Sequence, residues 1–270
     1  DIMAYKLALY AAVKPEVVVL GSSRAGNVRA AFFERPFVNM AGAATDLESL
    51  RLLVDRMLAV HRPKVVLLGL DFWWLTAGAP AGRPERIVQP SLLDASTLRA
   101  PWCWLVQGRI SPADMLAPLQ HRLRADRYGL EAQLRDTGYG PDGSLYEGAV
   151  LDGRRPAPDH AFARTLRELE SGSGVWAGSL APDRERQEAF AEICCRLRSR
   201  GIRTIVFLPP LATPVLGALA DRNGGDAGWL SALRQGLLDC GVESMDFSDP
   251  RVYGSGDCEM MAGLHGGDVI

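Results

Sequence analysis

Residues Val17 to Leu20, Val-Val-Val-Leu, form a β-branched run that stops at Gly21 and delivers Ser22 and Ser23. The run predicts a strand. Gly21 permits a sharp exit from it, and residues 24–34 read as a helix, so the two serines stand at a strand-to-helix turn. In an α/β protein that turn lies at the carboxyl edge of the sheet, where ligands bind. Ser23 is therefore the candidate nucleophile, set against a competing reading in which the serines only cap the helix. A phosphate loop is excluded, because Asn27 and Val28 stand where that loop needs a lysine and a serine or threonine.

The chain continues in a strand-helix rhythm. Residues 2–13 have helical spacing and end at Lys14-Pro15-Glu16. Residues 37–40 predict a second strand, followed by the small-residue turn 41–44. Thr45 with Glu48 then predicts a capping box for a helix reaching about Val60, with Leu47, Leu50, Leu53, Val54 and Met57 on one face. Residues 65–70 are a near-continuous apolar run of the kind a parallel strand buried on both faces requires, and Asp71 stands at its carboxyl end. After an interruption, residues 183–200 predict a helix, 204–208 a strand, 228–238 a helix and 242–247 the last strand.

This order predicts an α/β fold, a three-layer α/β/α flavodoxin-like architecture with a mostly parallel sheet and helices on both faces. One domain with a long insertion after the third strand, about 72–180, accounts for the interruption. The insertion holds Trp73, Trp74, Trp102, Trp104 and Trp176 and a basic helical stretch over 116–135. It reads as part lid and part substrate wall, with aromatics that form its own small core more readily than a sugar or acyl pocket.

Composition narrows the function. Lys and Arg number 30 against 32 Asp and Glu, a formal net charge of -2 that gives no nucleic-acid footprint. No apolar run reaches the roughly 18 to 20 residues of a membrane span. The five cysteines, Cys103, Cys194, Cys195, Cys240 and Cys258, lack Cys-x-x-Cys spacing, so neither a zinc site nor another metal or cofactor is expected. The chain starts at Asp1 and stops at Ile270 in mid-pattern, as a piece of a longer protein would, which leaves an upstream anchor open.

A partner for Ser23 comes from the far end. His265 lies in Ala-Gly-Leu-His-Gly-Gly-Asp, residues 262–268, a glycine-flanked loop that lets the backbone approach a neighbour closely. The other histidines, His61, His121 and His160, lie in helical or charged surroundings. Gly21-Ser22-Ser23-Arg24 after the first strand, Asn39 with Gly42 after the second, Gly69-Leu70-Asp71 after the third and His265 after the last resemble the four blocks of the SGNH/GDSL hydrolase superfamily. The Gly-Ser-Ser branch, with its envelope-associated O-acyl esterases and transferases, is the most similar. The blocks span residues 17–265, and the insertion lies outside them.

The resemblance implies a serine esterase or O-acyltransferase that acts on ester groups, O-acetyl above all, of a carbohydrate or envelope substrate through an acyl-serine. It implies Ser23 as nucleophile, His265 as general base, and the N–H groups of Ser23 and Gly42 as oxyanion donors, with an extracytoplasmic setting such as the bacterial periplasm. Ser22, Arg24, Asn39, Gly69 and Asp71 are the supporting positions. Two positions depart from the family: Asp71 stands where an asparagine donates to the oxyanion, and Ala262 stands where the triad aspartate precedes the histidine. Asp257, Glu259 or Asp268 is then expected to replace that acid, or a backbone carbonyl to hold the imidazole in a Ser-His dyad. The alternative is a non-catalytic carbohydrate- or envelope-binding protein on the same fold.

Overall fold

The uninterrupted apolar runs become strands. The computed structural model describes residues 2–77, 95–108, 110–120, 127–151, 153, 157, 159–177, 181–222, 235, 237–238 and 241–267. Strands β1 (Val17–Leu20), β2 (Phe37–Asn39) and β3 (Val65–Gly69) are followed by a hairpin, β4 (Thr137–Tyr139) and β5 (Leu145–Glu147). Then come β6 (Arg203–Leu208), β7 (Glu243–Asp246), and a second hairpin, β8 (Met260–Ala262) and β9 (His265–Gly266). Among the described residues five strands form one sheet in the order β2-β1-β3-β6-β7, every neighbouring pair parallel. The chain is thus an α/β protein on an all-parallel central sheet flanked by helices. The order reverses at β1, so a crevice opens at the carboxyl ends of β1 and β3.

Helices α1 (Ile2–Val13) and α2 (Leu47–Val60) precede the insertion, which contributes α3 (Ala95–Val106), α4 (Pro112–Gln120), α5 (Leu130–Arg135), α6 (Gly148–Leu151) and α7 (Ala163–Ser171). Helices α8 (Arg184–Ser199) and α9 (Thr213–Arg222) follow it. Because side chains alternate along a strand, Val18, Leu20, Val66, Leu68 and Val206 share one face of the sheet and one core with Met3, Leu50, Phe190 and Val215 of these helices. Val17, Val19, Val65, Leu67 and Phe207 share the opposite face and pack with Ala25, Val28 and Phe33.

Three expectations change. The helix predicted over 24–34 is instead two 3-10 turns, Ser23–Ala25 and Ala30–Phe32. The Asn39 side-chain amide takes the carbonyls of Ala25, Gly26 and Val28 at 2.9, 3.0 and 2.8 Å, which an α-helix would give to its own amides four residues on. At α2, Asp46 is the cap, with Ser49 reciprocating, rather than Thr45 with Glu48. In the insertion, Phe72, Trp73, Trp74 and Trp176 join the main core rather than a separate one, while Trp102 is exposed.

The helix predicted over 183–200 is α8, Arg184–Ser199, with Asp183 as its cap. Most of the helix predicted over 228–238 lies outside the described residues, as does the 121–126 part of the basic stretch. Cys103, Cys195 and Cys258 are exposed free thiols, Cys194 is buried, and Cys240 lies outside the described residues. Among the described residues no helix is long and apolar enough to cross a membrane.

Candidate active site

The site begins with a close approach of two backbones. Gly21 has φ +135, and a Cβ there would lie 2.6 Å from the Gly69 carbonyl oxygen; a Cβ on Gly69 would lie 2.9 Å from that of Ala25. Only glycine at both positions lets the turn after β1 settle on the carboxyl end of β3. The Ser22 hydroxyl accepts the Arg24 N–H at 3.2 Å, the capping role, which leaves Ser23 as the exposed serine of the pair. The second hairpin brings its partner from the far end of the chain. Ser23 Oγ and His265 Nε2 lie 3.0 Å apart, within hydrogen-bond reach.

Arg24, the residue after Ser23, ties the site together. Its guanidinium donates to Asp71 Oδ1 at 2.9 Å, to the Pro209 and Pro210 carbonyls at 2.8 and 2.7 Å, and to the Leu264 carbonyl at 2.8 Å. The loops after β1, β3 and β6 and the histidine hairpin are thereby joined through one side chain. The pair is deeply buried, Arg24 and Asp71 side chains being 3% and 0% exposed. Burial pushes the Asp71 carboxyl up, opposed by Arg24 and by the Ser22 hydroxyl. Asp71 is accordingly the counter-ion of Arg24.

Asn39 and Gly69 are positioned as supports of the turn rather than as reacting groups. Asn39 is wholly buried, and its Oδ1 accepts the Ala41 N–H at 2.8 Å while its amide holds the three carbonyls already named. Asn27 fastens the other side: its Nδ2 donates to the Gly266 carbonyl at 2.8 Å, the residue after the histidine. The role of Asn27 was not legible beforehand, since its acceptors are backbone atoms.

Of the two expected oxyanion donors, the Ser23 N–H donates to no group among the described residues. The Gly42 N–H, by contrast, is taken by the Gly21 carbonyl at 2.9 Å and is not available in this state. Of the two, only the Ser23 N–H is unengaged among the described residues.

Among the described residues no carboxylate reaches the imidazole of His265. Ala262 pairs with His265 across the hairpin and brings only a methyl group. Asp257 accepts the Thr213 N–H at 2.7 Å, and Glu259 is occupied by the Ser255 hydroxyl and the Gly256 N–H. Asp268 lies outside the described residues. Burial, with the Arg24 and Arg164 cations as lesser causes, pushes the His265 imidazole down from 6.5 to about 4. The histidine is therefore neutral at pH 7, the form that accepts a proton.

Among the described residues no group of histidine, cysteine, aspartate or glutamate side chains has the arrangement to hold a metal ion. His61, a half-buried residue, hydrogen-bonds the Pro15 carbonyl at 3.1 Å. No family model, curated protein or solved structure matches the chain.

Proposed function

We propose that the chain is a serine ester hydrolase or O-acyltransferase of the SGNH type, a three-layer flavodoxin-like domain that carries its acyl group on Ser23. The observation that carries this reading is the 3.0 Å Ser23 Oγ to His265 Nε2 contact at the carboxyl edge of a parallel sheet. A serine hydroxyl is a weak nucleophile until an adjacent base takes its proton, and a neutral imidazole at that distance is such a base. In the reaction, Ser23 Oγ bonds the ester carbonyl carbon as His265 Nε2 receives the hydroxyl proton. The carbonyl oxygen becomes the oxyanion beside the Ser23 N–H. Collapse expels the alcohol, which takes the proton back from His265, and leaves acyl-Ser23. Water or a sugar hydroxyl then repeats the sequence in reverse.

The substrate class follows the family resemblance: an O-acetylated carbohydrate or another envelope ester in an extracytoplasmic compartment. Two cations near His265 oppose formation of the imidazolium, and among the described residues no carboxylate reaches the ring. That observation favours a second reading, a glycan-binding protein with a quiescent site.

A fluorophosphonate probe separates the two readings. Labelling is expected at Ser23, located by peptide mass spectrometry. Its rate should rise with pH through about 4, where His265 loses its proton, and show no step at the ordinary histidine value of 6.5. The sign follows from the base acting in its neutral form, which a lowered pKa makes available at lower pH. A folded protein that resists the probe, yet binds acetylated glycan equally well as Ser23→Ala, belongs to the second reading.

A further inference from the structure

The turn that carries Ser23 is gripped from behind by a part of the chain outside all the family-like blocks. Asp142 and Gly143, at the tip of the β4–β5 hairpin of the insertion, meet the end of β2 and the residues after Ser23. The Asp142 carbonyl accepts the Asn39 N–H at 2.7 Å, and Asp142 Oδ2 accepts the Ala30 N–H at 2.7 Å. Leu145 donates its N–H to the Gly26 carbonyl at 2.8 Å. Above these bonds the Arg29 guanidinium stacks 3.5 Å from the centre of the Tyr146 ring.

One buried lysine closes the assembly. Lys6 of α1 is wholly buried, and its Nζ donates to the Asn39 carbonyl at 2.9 Å and to the Gly143 carbonyl, with the Tyr139 ring centre 4.4 Å away. A lysine is almost never fully buried unless its charge is answered. Here burial pushes the Lys6 ammonium down to about 7, opposed by the charge of Asp142, and two carbonyls and an aromatic face receive its N–H groups. The two Nζ hydrogen bonds hold β2 and the hairpin tip together, and Asn39 transmits that hold through its amide to the carbonyls of Ala25, Gly26 and Val28.

We propose that Lys6 and Asp142 are positioning residues for Ser23: through Asn39, the insertion hairpin fixes the 3-10 turn at the height where the hydroxyl meets His265. The inference rests on the reading of Ser23 and His265 as a reacting pair. A turn held only by its own 3-10 bonds is poorly restrained, since such bonds have unfavourable geometry and short runs. The clamp supplies the rigidity that a nucleophile needs.

Lys6→Met keeps the length and apolar stem of the side chain and removes its donors; Asp142→Ala frees the Ala30 N–H from the other side of the clamp. Met3→Ala, a truncation in the same helix core that touches none of these bonds, controls for lost stability. Both clamp variants are expected to lower the saturating rate of fluorophosphonate labelling about 10- to 100-fold, the scale of an ångström-sized misplacement, with half-saturation unchanged. In both, the His265 imidazole followed by NMR should titrate at a higher pH than in the parent, as water enters a loosened turn. Met3→Ala should move neither.

Folded Lys6→Met and Asp142→Ala proteins with the parent's labelling rate and the parent's histidine titration would overturn the proposal. If Lys6→Met does not fold, Asp142→Ala decides alone. Should the parent itself resist the probe, the acyl-transfer reading fails and the NMR titration still decides the clamp: a shift in the variants supports it, and no shift overturns it.

Discussion

Exchange of Ser23 for alanine is expected to lower ester turnover by about three orders of magnitude or more, exchange of His265 for glutamine to lower it nearly as far, and the double exchange to cost no more than either. The lack of additivity follows from the geometry. The hydroxyl and Nε2, 3.0 Å apart, act in one proton transfer, so removing either partner removes the whole step. Glutamine is chosen at 265 because it keeps polarity and bulk without a base. Steady-state rates on a chromogenic acetyl ester, measured for the four proteins of the cycle, give the comparison. A His265→Gln protein that kept most of its turnover would take the histidine out of the mechanism.

On the acyl-transfer reading, the same pair sets a ceiling on the parent's rate. In serine proteases the carboxylate behind the histidine is worth about 10⁴-fold, because it holds the tautomer and offsets the imidazolium. Ala262 offers no such group, and Asp257 and Glu259 are engaged elsewhere. The site is thus built for a neutral histidine. Its positive charge must be borne during reaction beside Arg24 and Arg164.

The second large effect is on stability. Asp71→Ala is expected to destabilise the fold by about 3 to 5 kcal/mol, since it leaves the Arg24 guanidinium buried without its counter-ion. Three carbonyls would still accept from Arg24, but they carry no charge to offset its own. Replacing both partners with apolar residues, Arg24→Met with Asp71→Leu, should cost less than Asp71→Ala alone, as no charge is then stranded. Urea unfolding of the variants, read at unchanged slope, measures both quantities. An Asp71→Ala midpoint equal to the parent's would show that the pair contributes nothing net.

Much of this was legible in the residues, and the reasons differ by element. Residues 17–20 and 65–69 announce buried parallel strands because an uninterrupted apolar run has no solvent side, and neighbouring chain segments do not alter that logic. Ser23 and His265 are paired in the sequence through the resemblance of their blocks to a known family, while the glycines beside His265 argue only against a core histidine.

The 3-10 turns after Ser23 were not legible. The local pattern of residues 24–34 favours a helix, and Asn39, more than a dozen residues away from Ala25, overrides it by capturing the helix's own acceptors. Arg24 was visible as a charge but not as a hub, since three of its four acceptors are main-chain oxygens that any residue type presents. Lys6 was hidden for a similar reason. A single lysine in an apolar helix reads as a solvent-facing residue, and nothing local says that two carbonyls wait for it.

The reach of the Arg24 contacts along the chain has a consequence for when the protein becomes reactive. Its acceptors at Asp71, Pro209, Pro210 and Leu264 are synthesised long after the serine beside it, the last one 240 residues later. Contacts of such separation form late, after most of the loop-closure entropy has been lost. A nascent or partly folded chain therefore exposes Ser23 as an ordinary hydroxyl, without the imidazole that would arm it. On the acyl-transfer reading, competence arrives only when the β8–β9 hairpin docks beside the turn, so acylation of Ser23 is expected to report that docking.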